Sequence, residues 1–211
     1  MKRMTTIVFD TETTGKPRNW KSPPLAEKLN WPDLVSISWI VFNDRGAVLK
    51  KESHIIKPAG WSSDPAAAAI HGITDERAEA EGHDLANVLA LFCKDLDTCQ
   101  LLVAHNMDFD ANVLRNALYW RLGLHPGSIL TMPLFCTMKK ATSELKIPNK
   151  NGFGGYKWPS LDETYSASYG RPPPSGAHES MRDAEVCAAI YWKRWAGKTL
   201  PLEMRMADHR S

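Results

Sequence analysis

The sequence predicts an α/β protein: a mixed sheet of about five strands with helices on its faces. Two observations carry this reading. A pair of strand-like runs joined by a tight turn stands early in the chain, and from about residue 84 helical and strand patterns alternate. No internal repeat breaks that order, and at 211 residues a single compact domain is the default.

The elements follow in order. Thr5 to Asp10 reads as a short buried strand ended by a polar turn, Thr11 to Gly15, where glycine can take a positive φ. The unusually long connection from Lys16 to about Asp33 carries Trp20, Pro23-Pro24 and Trp31-Pro32, which argue against regular structure. Leu34 to Phe42 is rich in β-branched and aromatic residues and reads as a central strand. Asn43 to Gly46 is a turn, and Ala47 to Ile56 is the second arm of a hairpin. Helical patterns then take over. Leu85, Val88, Leu89, Phe92 and Leu96 share one face of a helix from about Asp84 to Asp97. Gln100 to Ala104 reads as a strand, Asp110 to Leu122 as a helix with Val113, Leu114, Ala117 and Leu118 inward, and Ser128 to Phe135 as another strand. Residues 146–158 form a loop rich in Gly, Lys and aromatics. A short helix follows from Ser160 to about Tyr169, then an extended Pro172-Pro173-Pro174 segment. A last helix from about Glu179 to Trp195 leads into a tail.

Composition narrows the function. With 43% apolar residues and eight tryptophans the chain can bury a substantial core. A formal net charge of only +2 is low for a sequence-independent DNA coater, but a nuclease can let metal ions neutralise phosphate. Cys93, Cys99, Cys136 and Cys187 show no paired metal-ligand spacing and read as reduced, buried cysteines. The N-terminal residues lack the apolar run of a signal peptide, and no segment approaches a membrane span, so a soluble cytoplasmic protein is expected.

Three distant stretches bring ionisable groups to strand or helix ends. Asp10 and Glu12 are two apart at a strand end, so both carboxylates can point to one side. A bare Asp-x-Glu arises about once by chance in a chain of this length, and a capped turn would use it too. Asp108 and Asp110 stand where a strand gives way to a helix, and either has a structural use as an N-cap. His105 and Asn106, just before them, read as structural hydrogen-bonders. His178 and Asp183 are five apart near the start of the last helix. A histidine on a loop there can approach a reacting water and withdraw, and imidazole, with an ordinary pKa of about 6.5, suits general-base work. Carboxylate oxygens are hard ligands that suit Mg²⁺ or Mn²⁺, and two such ions can clamp both the attacking and the leaving oxygen of a phosphodiester.

In order and internal spacing, the three stretches resemble the exonuclease motifs of the DEDD superfamily. Phe9-Asp10-Thr11-Glu12-Thr13-Thr14-Gly15 is similar to the first, His105-Asn106-x-x-Phe109-Asp110 to the second, and His178-x-x-x-x-Asp183 to the third in its histidine form, DEDDh. A tyrosine form would need tyrosine at position 179, where Glu179 stands. The ligand in the second motif is the Asp after the aromatic residue, which favours Asp110 over Asp108. The resemblance covers roughly residues 5–196 and includes Ile70-His71-Gly72-Ile73-Thr74, similar to the family's loop beside the scissile nucleotide.

The resemblance implies a ribonuclease-H-like mixed sheet, an exonuclease domain over residues 1–196 and a C-terminal tail over 197–211. It implies stepwise release of nucleoside 5′-monophosphates from a 3′ end. Asp10, Glu12, Asp110 and Asp183 would hold two Mg²⁺ or Mn²⁺ ions, and His178 would act as general base. Thr13, Thr14, Ile70, His71 and Asn106 are the expected substrate contacts. The loop from Lys16 to Asp33 is longer than in the family's bacterial polymerase proofreading subunit, and no long polymerase-binding extension follows the last helix, so a stand-alone enzyme is expected. The expected partner is the 3′ end of single-stranded nucleic acid, with DNA favoured. RNA ends, acted on by a ribonuclease of the same family, and a catalytically silent nucleic-acid-binding module are the alternatives.

One further pattern bears on the partner. Lys139, Lys140, Lys146, Lys150 and Lys157 surround Phe153, Tyr156 and Trp158, with Glu144 the one nearby acid. Charge that follows a backbone and rings that stack on bases suit a single strand. A solvated loop pinned to the core by its aromatics would have the same composition.

Overall fold

Five strands form one sheet in the order β3-β2-β1-β4-β5. They are β1 Thr5–Thr13, β2 Leu34–Asn43, β3 Val48–Ile55, β4 Cys99–Ala104 and β5 Leu134–Cys136. The computed structural model describes residues 5–127, 132–149 and 154–197. β1, β2 and β3 are antiparallel neighbours, whereas β4 runs parallel to β1, and β5 parallel to β4. This is the predicted mixed sheet, and its class is ribonuclease-H-like. Seven α-helices flank it among the described residues: α1 Pro65–His71, α2 Asp75–Glu81, α3 Leu85–Leu96, α4 Met107–Asn116, α5 Thr137–Leu145, α6 Leu161–Tyr169 and α7 Ser180–Arg194. None of these helices is long and apolar enough to cross a membrane.

Strand residues alternate between the two faces, and each face has its own core. Ile7, Phe9, Ile37 and Trp39 pack beneath α3 and α4, with Phe92 against both Phe9 (5.6 Å between ring centroids) and Trp39 (5.2 Å). Removing the Phe92 ring would cost about 3–5 kcal/mol. On the other face Val8, Ile40, Phe42 and Val103 meet Ala184, Cys187, Ala188 and Trp192 of α7. β2 is buried from Leu34 to Phe42 because both cores use it. By the same alternation Asp10 and Glu12 continue the Val8 row and come out on the α7 face.

Several boundaries differ from expectation. β1 runs on to Thr13, because β2 keeps pairing with it there, so Glu12 lies within the strand and not in a turn. The helix expected from Asp110 begins at Met107, with Asn106 as N-cap in the left-handed region (φ 70°), a conformation asparagine tolerates. That helix ends in a π turn over Ala117–Arg121. The expected strand from Ser128 is a strand only over Leu134–Cys136, and residues 128–131 lie outside the described residues. α5 falls where the sequence suggests no helix, and it puts Lys139 and Lys140 on a helix instead of in the lysine-rich loop. Lys150, Phe153 and all of the tail after Gly197 lie outside the described residues. All four cysteines are free, but only Cys187 is buried; the other three are half-buried. The short helix does start after Ser160, where a capping box with Glu163 fixes its first turn.

The long connection after β1 has no regular structure, yet it is well fastened. Its neck closes where Thr14 N donates to Asp33 O and Thr14 Oγ1 accepts from Asp33 N, both at 3.0 Å. Inside it Asn30, almost fully buried, accepts from Asn19 N (2.8 Å) and donates to Asn19 O (3.0 Å). Trp31 Nε1 donates to Ser22 O (2.9 Å), and Trp120 Nε1, from the π turn, donates to Pro24 O (2.8 Å). Arg121, from the same turn, grips Asp33 with two donors.

Candidate active site

β1 and β4 pair only as far as Val8 and Val103, while β1 continues five residues further beside β2. The end of β1 therefore borders an opening at the carboxyl ends of two parallel strands, the usual position for a site in an open sheet. Asp10 and Glu12 project there from β1. Asp110, in the first turn of α4 and 3% exposed, reaches it from the other side, where its Oδ1 accepts from Thr11 Oγ1 at 2.7 Å. Asp108, by contrast, is exposed and paired with Lys139 at 2.6 Å.

Asp183 arrives on α7. It sits within the first turn, nearer the helix start than expected, because α7 begins at Ser180. Ser180 sets that start: its Oγ lies 2.7 Å from Ser38 Oγ and 3.2 Å from Ser36 Oγ. Ser38 and Ser36 are the β2 partners of Asp10 and Glu12, so one serine cluster brings α7 to the two β1 carboxylates. Asp183 Oδ2 accepts from the backbone N of His178 (3.0 Å), and Oδ1 accepts from Arg182 Nη1 (2.6 Å). Ligand atoms of Glu12, His178 and Asp183 lie within 4.8 Å of one another. His178 is exposed and holds a positive φ of 67°, a conformation that only a fastened loop keeps in a non-glycine residue.

Burial and mutual repulsion dominate the electrostatics. Burial pushes the Asp10 carboxyl well above the usual range, with Asp110, Glu12 and Asp183 adding to it and Arg182 opposing. Glu12 is raised to about 8 by burial, then by Asp183 and Asp110. Asp110 is raised to about 7 by burial, against the hydrogen bonds from Thr11. Carboxylates crowded in this way favour a cation among them. The all-oxygen donor set, with a single imidazole at its edge, fits a hard divalent ion and not a thiolate-bound metal.

The other predicted substrate-binding residues have mixed surroundings. Thr13 Oγ1 donates to Gly15 O (2.8 Å), and Thr14 holds the loop neck, so both hydroxyls shape the chain beside the site. Ile70 is exposed near the end of α1. His71, half-buried, accepts from Ile73 N (3.2 Å); burial lowers its pKa, the Thr13 backbone opposes, and nearby His178 lowers it further. Asn106 caps α4 without a side-chain bond to it. His105 is structural: its ring lies 2.9 Å from Thr137 Oγ1 and 3.1 Å from Pro159 O, and burial lowers its pKa to about 4.

Sequence reasoning missed Thr11, the serine cluster and Arg182. Arg182, 4% exposed, also donates to Asp162 Oδ1 (3.0 Å) and, through Nε and Nη2, to Pro174 O (3.1 and 2.6 Å). A guanidinium one residue before a candidate ligand was the available signal. In the lysine-rich region, Lys139 pairs with Asp108 and Lys157 with Glu163, acids the sequence did not bring near. Tyr156 (49%) and Trp158 (67%) are exposed, so neither ring pins that segment to the core.

Fold and site together define a DEDD-superfamily nuclease domain. The chain belongs to the exonuclease family RNase_T, which it matches over residues 7–191, and proteins of this superfamily use divalent metal ions. Among solved structures it is similar to E. coli exonuclease I in complex with a dT13 oligonucleotide: 20% identity, TM-score 0.70, over 92% of this chain and 42% of that one. The exonuclease I complex with dA16 gives 20% identity and a TM-score of 0.68 over 92% and 42%. A zinc-bound E. coli exonuclease I–ssDNA complex gives 20% and 0.68 over 92% and 41%. The chain thus spans less than half the length of these structures. No curated protein sequence matches it.

Proposed function

We propose that the chain is a 3′→5′ exonuclease that depends on Mg²⁺ or Mn²⁺ and releases nucleoside 5′-monophosphates, with single-stranded DNA favoured. One observation carries this reading: four carboxylates from β1, α4 and α7 meet at one strand end, with an exposed histidine tied to the last of them. The complexes of exonuclease I with dT13 and dA16 support a single-stranded substrate.

Asp10, Glu12, Asp110 and Asp183 would hold two ions. When bound, these supply the charge that stabilises the phosphoryl transition state. Asp183 Oδ2 fixes the backbone of His178. The imidazole takes a proton from the attacking water as that water adds to phosphorus, and the bond to the upstream O3′ breaks. The nucleoside 5′-monophosphate departs with the water's oxygen, and the freed O3′ takes up a proton from solvent to become the new 3′-hydroxyl. Thr11 keeps the Asp110 carboxylate turned to the strand end, and Arg182 does the same for Asp183.

Matched oligomers test this. A 5′-labelled single strand should give a descending ladder, a 3′-labelled strand immediate mononucleotide, and a covalently closed circle should survive. A blunt duplex should be slower, because fraying costs about 1.4 kcal/mol per base-pair step, roughly tenfold in rate. Rapid cutting of the circle would overturn the exonuclease assignment. Faster digestion of a matched RNA would replace DNA with RNA as substrate.

A further inference from the structure

The fastened loop after β1 borders a pocket of about 370 Å³, within the range of about 300–1,000 Å³ usual for ligand sites. Thr14 and Gly15, two and three residues beyond Glu12, line it together with Lys16, Arg18 and Leu29. Lys16 and Arg18 are exposed, and neither makes an ion pair among the described residues. Of the two acids in the lining, Asp33 is neutralised by Arg121, and Asp64 caps α1 by accepting from Ala66 N. The pocket therefore offers two uncommitted cations against one capping carboxylate.

An aromatic surface adjoins it. Trp20, 55% exposed, lies 5.7 Å from Phe109 and 6.1 Å from Trp31, ring centroid to centroid. Phe109 belongs to α4, the helix that carries Asp110, and Trp31 lines the pocket itself. A large ring left half in water, linked through Trp31 to a pocket with two unpaired cations, matches what a single strand needs: a stacking face for a base and charge for the phosphate. The paired asparagines and the closed neck hold these groups in place before any ligand arrives, which lowers the entropic cost of binding.

We propose that the 16–33 loop is a second nucleic-acid subsite. Trp20 stacks on a base, and Lys16 and Arg18 hold the backbone phosphate, of single-stranded DNA upstream of the terminal nucleotide. The inference rests on the exonuclease reading above. It assigns the loop to affinity for longer strands, with no part in bond cleavage.

The test compares a dinucleotide with a dT oligomer of about twelve residues, in wild type, Trp20→Ala and the double variant Lys16→Ala/Arg18→Ala. Each variant should raise KM for the oligomer about tenfold or more, leaving its kcat and both dinucleotide parameters unchanged. The double variant should also flatten the slope of log KM against log salt by up to about 1.4, roughly 0.7 for each single-strand phosphate that the protein no longer neutralises. Binding of the same oligomer, fluorescently labelled and in excess EDTA, reads the loop without catalysis and should weaken in parallel. Unchanged oligomer KM and binding, or equal losses on dinucleotide and oligomer, would overturn the subsite. If wild type fails to release nucleotides, the exonuclease reading fails, and the EDTA measurement still decides whether the loop binds the strand.

Discussion

His178 and Asp183 are joined by one hydrogen bond from a backbone N–H, and this separates their roles. The imidazole is left exposed and free to turn, while the carboxylate beneath it is held on both oxygens. His178→Ala should therefore lower kcat by about 10²–10⁴-fold, the usual contribution of a general base. Calorimetric titration with Mn²⁺ should find its metal affinity little changed. A large loss of Mn²⁺ affinity would instead make His178 a ligand. These residues were legible because each motif is local: two carboxylates two apart on a strand, an aromatic-Asp pair at a helix start, a His and an Asp five apart. Thr11 and Ser180 were not, because their partners lie 99 and 142–144 residues away in sequence.

Among the elements, α7 does the most for the site, and Arg182 is where it attaches. Its guanidinium joins α6 through Asp162, the proline-rich segment through Pro174 and the cluster through Asp183, all from a buried position. Arg182→Met would leave Asp183 without its cation and the Pro174 carbonyl without its donors. Breaking a buried pair from one side costs about 3–5 kcal/mol. Urea unfolding should show a loss of that order, and Asp162→Asn a much smaller one, since Asp162 is about half exposed. Equal, small losses in both would mean that the buried guanidinium is dispensable. Strand and helix identities came through well in the sequence where periodicity was long, as in β2 and α3. They failed where a helix was short and polar, as in α5, whose Lys139, Lys140 and Ser143 resemble loop residues.

At the scale of the whole molecule, the carboxylate cluster opposes the fold unless a cation is present. Glu12 ordinarily titrates at 4.5 but is held near 8 in the folded chain, and Asp10 and Asp110 are raised with it. A carboxyl raised on folding binds its proton more tightly in the native state than in the unfolded one. Its contribution is thus complete below about 4.5 and is lost as pH climbs through about 8. In EDTA the melting temperature should fall between about pH 5.5 and pH 8.5 by a few degrees. Glu12→Gln should flatten that fall, and Mg²⁺ should raise the melting temperature more at the alkaline end. Far-UV circular dichroism should show that metal-free protein keeps its fold while losing turnover, because two apolar cores support the sheet independently of the cluster. A flat melting profile in EDTA would show that the carboxylates are not crowded enough to need an ion.

The π turn at the end of α4 has an effect on timing along the helix. Closing a turn over five residues, as Leu122 N does to Ala117 O, slips every later side chain by one position, about 100° around the axis. That slip aims Trp120 at Pro24 and Arg121 at Asp33, while Asp110, upstream of it, keeps the ordinary phase. Extra residue and extra loop are therefore lock and latch. Trp120→Phe together with Arg121→Ala would take away both fasteners and release the segment that carries Lys16, Arg18 and Trp20. The carboxylates would stay where they are. Such a variant should still trim a dinucleotide at the parental rate and lose its grip on anything longer.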